Sequence, residues 1–173
     1  MTEEEKEQQQ QQEQEEQPKI VQPAPSPKVL EMIERTMKQF FSQGDPDTGE
    51  TATHTSFCVL YRFNEDKYER YNASGQGVVR ILKHDDTGRY RIVMRSKEDF
   101  DKIYLNHFIL PGMDIREKSL EKGNVVIRSK NYADGTLKKE YVLFKFATQE
   151  AKDDFIEKYT EALNQNKEIL TSK

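Results

Sequence analysis

Tryptophan is absent from this 173-residue chain, and cysteine occurs once, at Cys58. A lone thiol cannot close an intramolecular disulfide, and no Cys/His spacing resembles a zinc site, so neither a disulfide scaffold nor a bound metal is expected. A reducing compartment fits. No apolar run approaches the roughly 20 residues that cross a bilayer. The N-terminus, built of Glu and Gln, is the opposite of a secretory or mitochondrial leader. The expected location is cytoplasmic or nuclear, with no membrane span.

Catalytic motifs are missing too. Gly75-Gln76-Gly77 lacks the further glycine and the following helix of a dinucleotide fold, so no phosphate loop is present. His54, His84 and His107 lie far apart without a nucleophile motif, and Ser74 has no nucleophile-elbow context. Asp85-Asp86 and Glu98-Asp99 fall in predicted turns, where solvation explains them. The chain is expected to be no enzyme and to need no cofactor.

What the chain has is charge, unevenly placed. Charged and hydrophobic residues each make up 34%, and the net formal charge is −4. Residues 1–18 hold seven glutamates and one lysine, a balance of −6, which leaves the rest at +2. Between Arg80 and Lys139, fourteen Lys/Arg face nine Asp/Glu, a surplus that fits an acidic partner. Residues 1–27 are too polar to offset ordering entropy and are expected to be disordered. Their acidity makes masking of the basic region a further expectation.

From Lys28 to Ser42, Val29, Leu30, Ile33, Met37, Phe40 and Phe41 recur at helical steps after Ser26-Pro27, which predicts an amphipathic helix. Packing on the following domain is the preferred explanation of its stripe. An export-signal-like docking helix is the alternative. A polar linker is expected to about residue 55. The period then becomes alternating, and seven strand candidates follow: Phe57 to Phe63, Tyr68 to Leu82, Arg89 to Arg95, Ile103 to Leu110, Met113 to Lys118, Val125 to Ser129 and Glu140 to Phe146. Thr148 reads as an N-cap, and Ala151, Phe155, Tyr159, Ala162 and Leu163 share one face of a closing helix. Short connections predict an antiparallel sheet, rolled up and plugged by that helix.

The order of motifs resembles the Ran-binding domains, a variant of the pleckstrin-homology fold. Leu60-Tyr61-Arg62-Phe63 is similar to their opening strand, and the run Gly75 to His84 to their Gly-x-Gly strand ending in Leu-Leu-Lys-His. Arg91-Ile92-Val93-Met94-Arg95 matches their Arg-Leu-Leu-Met-Arg, and Asn106-His107 their Asn-His pair. The junction from Phe146 to Glu150, with Phe155 and Tyr159, resembles their strand-to-helix passage. Their Trp-Lys-Glu-Arg signature is not intact; Tyr68-Glu69-Arg70 or the neighbouring Tyr71 stands in its place.

The resemblance implies a mainly β, seven-stranded, pleckstrin-homology-like barrel or sandwich capped by a C-terminal helix. The organisation expected is a tail over 1–27, a helix and linker over 28–55, the Ran-binding-like domain over 56–167 and a short tail over 168–173. It implies a monomeric adaptor in nucleocytoplasmic transport, at or near the nuclear pore. Such an adaptor would bind the GTPase Ran in its GTP form and co-stimulate GTPase activation together with transport receptors and a GTPase-activating protein. Partner-binding positions are then Glu69, Arg70, Tyr71, Gly75, Gly77, Arg80, Lys83, Arg91, Arg95, Asn106, His107 and Arg128, the basic ones to receive Ran's acidic tail. The rival is a pleckstrin-homology-like module that binds phosphoinositides or a peptide without recognising Ran. A nucleic-acid surface on Arg89, Arg91 and Arg95 is disfavoured by the acids at Asp85, Asp86, Glu98, Asp99 and Asp101.

Overall fold

A computed structural model describes residues 26–42, 44–63, 72–116, 124–131 and 138–171. The acidic segment 1–18 and its expected masking role lie outside them, as do Glu69, Arg70 and Tyr71. In chain order come α1 (Pro27–Ser42), β1 (Glu50–Phe63), β2 (Asn72–His84), β3 (Tyr90–Ser96), β4 (Ile103–Phe108), β5 (Val125–Asn131), β6 (Lys138–Phe146) and α2 (Gln149–Thr171). The strands form one sheet ordered β4-β3-β2-β1-β6-β5, with every neighbouring pair antiparallel. This is the mainly β, antiparallel, helix-capped architecture that was expected.

Three details differ from expectation. The described residues contain six strands, because the candidate beginning at Met113 makes only an isolated bridge, Ile115 to Ile127, beside a bond from Arg116 N to the Val126 carbonyl. Pro111-Gly112, with Gly112 at φ 91°, turns the chain away before a ladder can extend. Second, residues 50–55 form the first part of β1, not linker: alternating Thr51, Thr53 and Thr55 suit a pleated strand and pair with residues 80–84 of β2. Third, α2 continues through Thr171, into the expected tail.

β1 is long because it bends. Register shifts between Ala52 and His54 and between Leu60 and Tyr61 let it follow β2 along its length while pairing β6 from Cys58 onward. Its inner face contributes Cys58 and Leu60 to a core with Val79, Ile81, Ile92 and Met94. Burial pushes the Cys58 thiol well up, so it behaves as a small apolar side chain.

α2 closes the roll. Thr148 Oγ1 accepts from Ala151 N at 3.1 Å, the expected cap. The Phe155 ring lies 5.1 Å from Phe144, 5.0 Å from Phe146 and 5.6 Å from Tyr159. Tyr159 donates to the Met113 carbonyl at 2.6 Å. Buried Asn166 accepts from Tyr90 N at 2.9 Å and donates to the carbonyls of Tyr90 and Ile109 at 3.0 and 2.6 Å. One amide therefore satisfies three backbone groups where β3 starts and β4 ends.

The other sheet face is also covered. Phe57, Val78, Leu82 and Val93 alternate with the inner-core residues and are buried. Across this face lie α1 and residues 44–49. Phe40 is the ring of α1 that packs down, edge-on to Phe100 at 5.2 Å and beneath the Arg80 guanidinium at 5.4 Å. Val29, Leu30 and Phe41 remain exposed, so the packing explanation of the helix holds for part of its stripe.

Candidate interaction surface

Arg80, Arg91 and Arg95 project from β2 and β3 on the face under α1, where an internal acidic segment meets them. Asp47 is buried and accepts from Arg80 Nη1 at 2.7 Å and Arg95 Nη2 at 3.0 Å, with Arg91 Nη2 at 3.5 Å. Asp45 accepts from the same Arg80 nitrogen at 2.9 Å, which holds its carboxyl below the usual range. Glu50 grips Arg91 bidentately at 2.7 and 2.6 Å and raises its pKa, while Arg91 Nη1 donates to Asn106 Oδ1 at 2.9 Å. Three arginines thus balance three carboxylates. The cluster is close to neutral, and the partners that neutralise it come from more than thirty residues away in sequence.

The remaining sequence candidates fall into three sets. The glycines serve packing: a Cβ on Gly75 would meet the Tyr104 ring, and one on Gly77 would run into the Arg95 carbonyl. Lys83 sits over the Tyr90 ring at 5.7 Å. Arg128 is exposed on β5. Asn106 and His107, together with Arg91, line a cavity.

That cavity, of about 440 Å³, opens at the seam of the rolled sheet, between edge strand β4 and edge strand β5. β4 provides Asn106, His107 and half-exposed Phe108; the turn after it provides Leu110 and Met113; β5 provides Lys130. A smaller depression of about 250 Å³ adjoins it through Met113 and Lys130 and reaches Arg128 and Pro111-Gly112. The seam combines an apolar pocket with a cationic shelf. Lys130 escaped the sequence reading because only the closure of the sheet brings it beside His107.

His107 is the buried polar group of the seam. Its Nδ1 faces the Phe108 carbonyl at 2.8 Å, and so donates, which leaves Nε2 as the acceptor. Nε2 is buried without a hydrogen-bond partner. Desolvation holds the imidazole pKa down at about 4, against the smaller opposing effect of the carbonyl, so the ring is neutral at physiological pH.

His54 is a second polar node that sequence did not connect. Its Nδ1 meets Asp154 Oδ2 at 2.6 Å and its Nε2 meets Ser56 Oγ at 2.7 Å, with Phe155 and Phe146 edge-on to the ring. Burial lowers its pKa, partly offset by Asp154. Lodged between β1 and α2, it ties helix to sheet.

Comparison with known proteins adds the following. The family model for the RanBP1 domain matches residues 47–165. Ran-binding protein 1 homolog a of Arabidopsis thaliana is 37% identical over 102 residues, covering 59% of this chain and 44% of that protein. The E3 SUMO-protein ligase RanBP2 of Homo sapiens is 34% identical over 118 residues, 66% of this chain and 4% of that protein. Among solved structures, the Ran-binding domain of Nup2 from Ashbya gossypii aligns with a TM-score of 0.46 at 20% identity, covering 66% of this chain and 95% of that one. The chain spans about half the length of the plant relatives it matches.

Proposed function

The chain belongs to the RanBP1 domain family, a family of non-catalytic binding modules, and from that premise we propose that it binds Ran in the GTP-bound form as an adaptor of nucleocytoplasmic transport. The observation that carries this is the family match over residues 47–165, which takes in the sheet and the first part of α2, through residue 165. In this reading the protein acts in the cytoplasm, the nucleus or at the pore, helps release transport receptors, and co-stimulates a GTPase-activating protein without hydrolysing GTP itself. An acidic segment of Ran would meet the exposed cation of the seam, Lys130, since Arg80, Arg91 and Arg95 already hold Asp45, Asp47 and Glu50.

The test is a pull-down of the full chain with Ran loaded with a non-hydrolysable GTP analogue or with GDP, followed by Ran GTPase rates with and without the activating protein. Capture of the GTP form and acceleration only when the activating protein is present are the expected results. Failure to capture either form would hand first place to a pleckstrin-homology-like module, which liposome binding would then reveal.

A further inference from the structure

The wall of the seam cavity holds two strong cations, Lys130 and Arg91, and they are not equivalent. Lys130 is exposed on β5. Arg91 is gripped from behind by Glu50, the first residue of β1, which accepts from Nε and Nη2 at 2.7 and 2.6 Å. Its Nη1 donates to Asn106 Oδ1 at 2.9 Å. A bidentate carboxylate is among the strongest partners a guanidinium takes, so this seam cation is already occupied by the chain itself.

This pair differs from the ion pairs beside it. Arg80 and Asp47 are enclosed, with side chains 7% and 0% exposed, and separating them would strand a buried charge. Arg91 and Glu50 lie at the rim, 23% and 10% exposed. There a carboxylate from outside can replace Glu50 with no charge left bare, because Arg91 keeps Asp47 at 3.5 Å and Asn106. Glu50 follows the exposed residues Thr48 and Gly49, so rotation of its side chain carries the carboxylate toward water. Such an exchange conserves the ion pair, and the outcome is decided by concentration. A tethered competitor acts at an effective concentration on the order of millimolar, which an incoming acid has to exceed.

We propose that Glu50 is an autoinhibitory clasp: it stands in for a partner's carboxylate and withholds Arg91 from the seam until a segment bearing several carboxylates takes Arg91 by exchange. A lone carboxylate meets only Lys130, whereas a segment that reaches both walls displaces Glu50. The clasp therefore sets a threshold against weakly acidic proteins. For its partner the inference rests on the reading of the chain as a binder of Ran in the GTP form, and it gives Glu50 a role that opposes binding.

Glu50→Gln keeps the shape of the side chain and removes its charge. Titrated by calorimetry at low salt with Ran carrying a non-hydrolysable GTP analogue, the full-length variant should bind about fivefold more tightly than the parent, the worth of roughly one exposed ion pair. Glu50→Ala should act in the same direction. The gain should vanish when Arg91→Gln is added, and again when Ran lacks its acidic tail. Unchanged or weaker binding by both Glu50 variants, with the parent capturing Ran-GTP, overturns the proposal and leaves Glu50 a structural partner of Arg91. A gain that persists beside Arg91→Gln overturns the route through that guanidinium. If the parent captures neither nucleotide form, the Ran reading fails separately, and hexaglutamate peptide decides the clasp. In the unmodified chain it should shift the Arg91 Nε–H and Glu50 carboxylate resonances together, and Glu50→Gln should shift the Arg91 signal at about a fifth of the peptide concentration. No shift of either resonance by millimolar peptide overturns the clasp whether or not the variants fold.

Discussion

His107 gives stability a pH dependence whose sign follows from its burial. Its folded pKa of about 4 lies below the ordinary 6.5, so the folded state binds fewer protons than the unfolded state at intermediate pH. The stabilisation is fully present above about pH 6.5 and is lost as pH falls toward 4. Between pH 7 and pH 5 the chain should lose roughly 2 kcal/mol through this group. Urea denaturation of the parent chain and of His107→Leu at both pH values checks it: the variant should lose distinctly less, retaining only the drift from His54, whose lowered pKa acts in the same direction. Identical pH drifts in the two proteins would show that the imidazole is solvated in solution. Gly77 illustrates the opposite relation of residue to partner, since its contact with the Arg95 backbone makes the absence of a side chain the requirement, whatever the pH.

Among the elements, the segment from α1 to β1 carries more than the sequence showed. Starting the chain at Gly44 removes Phe40 but keeps Asp45, Asp47 and Glu50; starting it at Glu50 leaves Arg80 and Arg95 without their carboxylates. Breaking a buried ion pair by taking one partner costs roughly 3–5 kcal/mol, so urea titration should place the 50–173 chain at least that far below the 44–173 chain. Equal stability would mean that water replaces the carboxylates without loss. At the far end, Phe155→Ala should cost roughly 3–5 kcal/mol, because the ring is fully buried among Phe144, Phe146 and Tyr159. A loss within about 0.5 kcal/mol, typical of surface sites, would put that ring elsewhere. The elements that sequence made legible were those whose apolar period is local, such as Ile92/Met94 on β3 and Phe155/Tyr159 on α2. Residues 50–55 were not among them. Their threonines are polar, and what makes them a strand is pairing with β2 about thirty residues later.

At the scale of the whole molecule, sequence marked residues that the fold brings to the seam but not the electrostatics around them. It singled out Asn106 and His107, which line the seam, and it counted the surplus of positive charge between residues 80 and 139. Which cations remain exposed depends on long-range contacts: Arg80, Arg91 and Arg95 read as a basic face until Asp47 and Glu50 are placed against them, and Lys130 became relevant only when β5 was placed across from β4. This changes what charge reversal should report. Arg95→Glu would set a carboxylate beside buried Asp47, so its main effect is on folding, seen as a fall in melting temperature. Lys130→Glu, on an exposed β5 position, should leave melting within surface-mutation range. If an acidic segment of Ran lies on the seam, Lys130→Glu should weaken capture of the GTP form by roughly 1 kcal/mol, about fivefold. The loss should shrink as added salt screens the pair. Deleting Ran's acidic tail should weaken binding to the parent chain and cancel the Lys130→Glu effect, since the two changes remove the same interaction. If Lys130→Glu stays silent at low salt while Ran-GTP binding is strong, Ran is held elsewhere on the domain and the seam serves another segment.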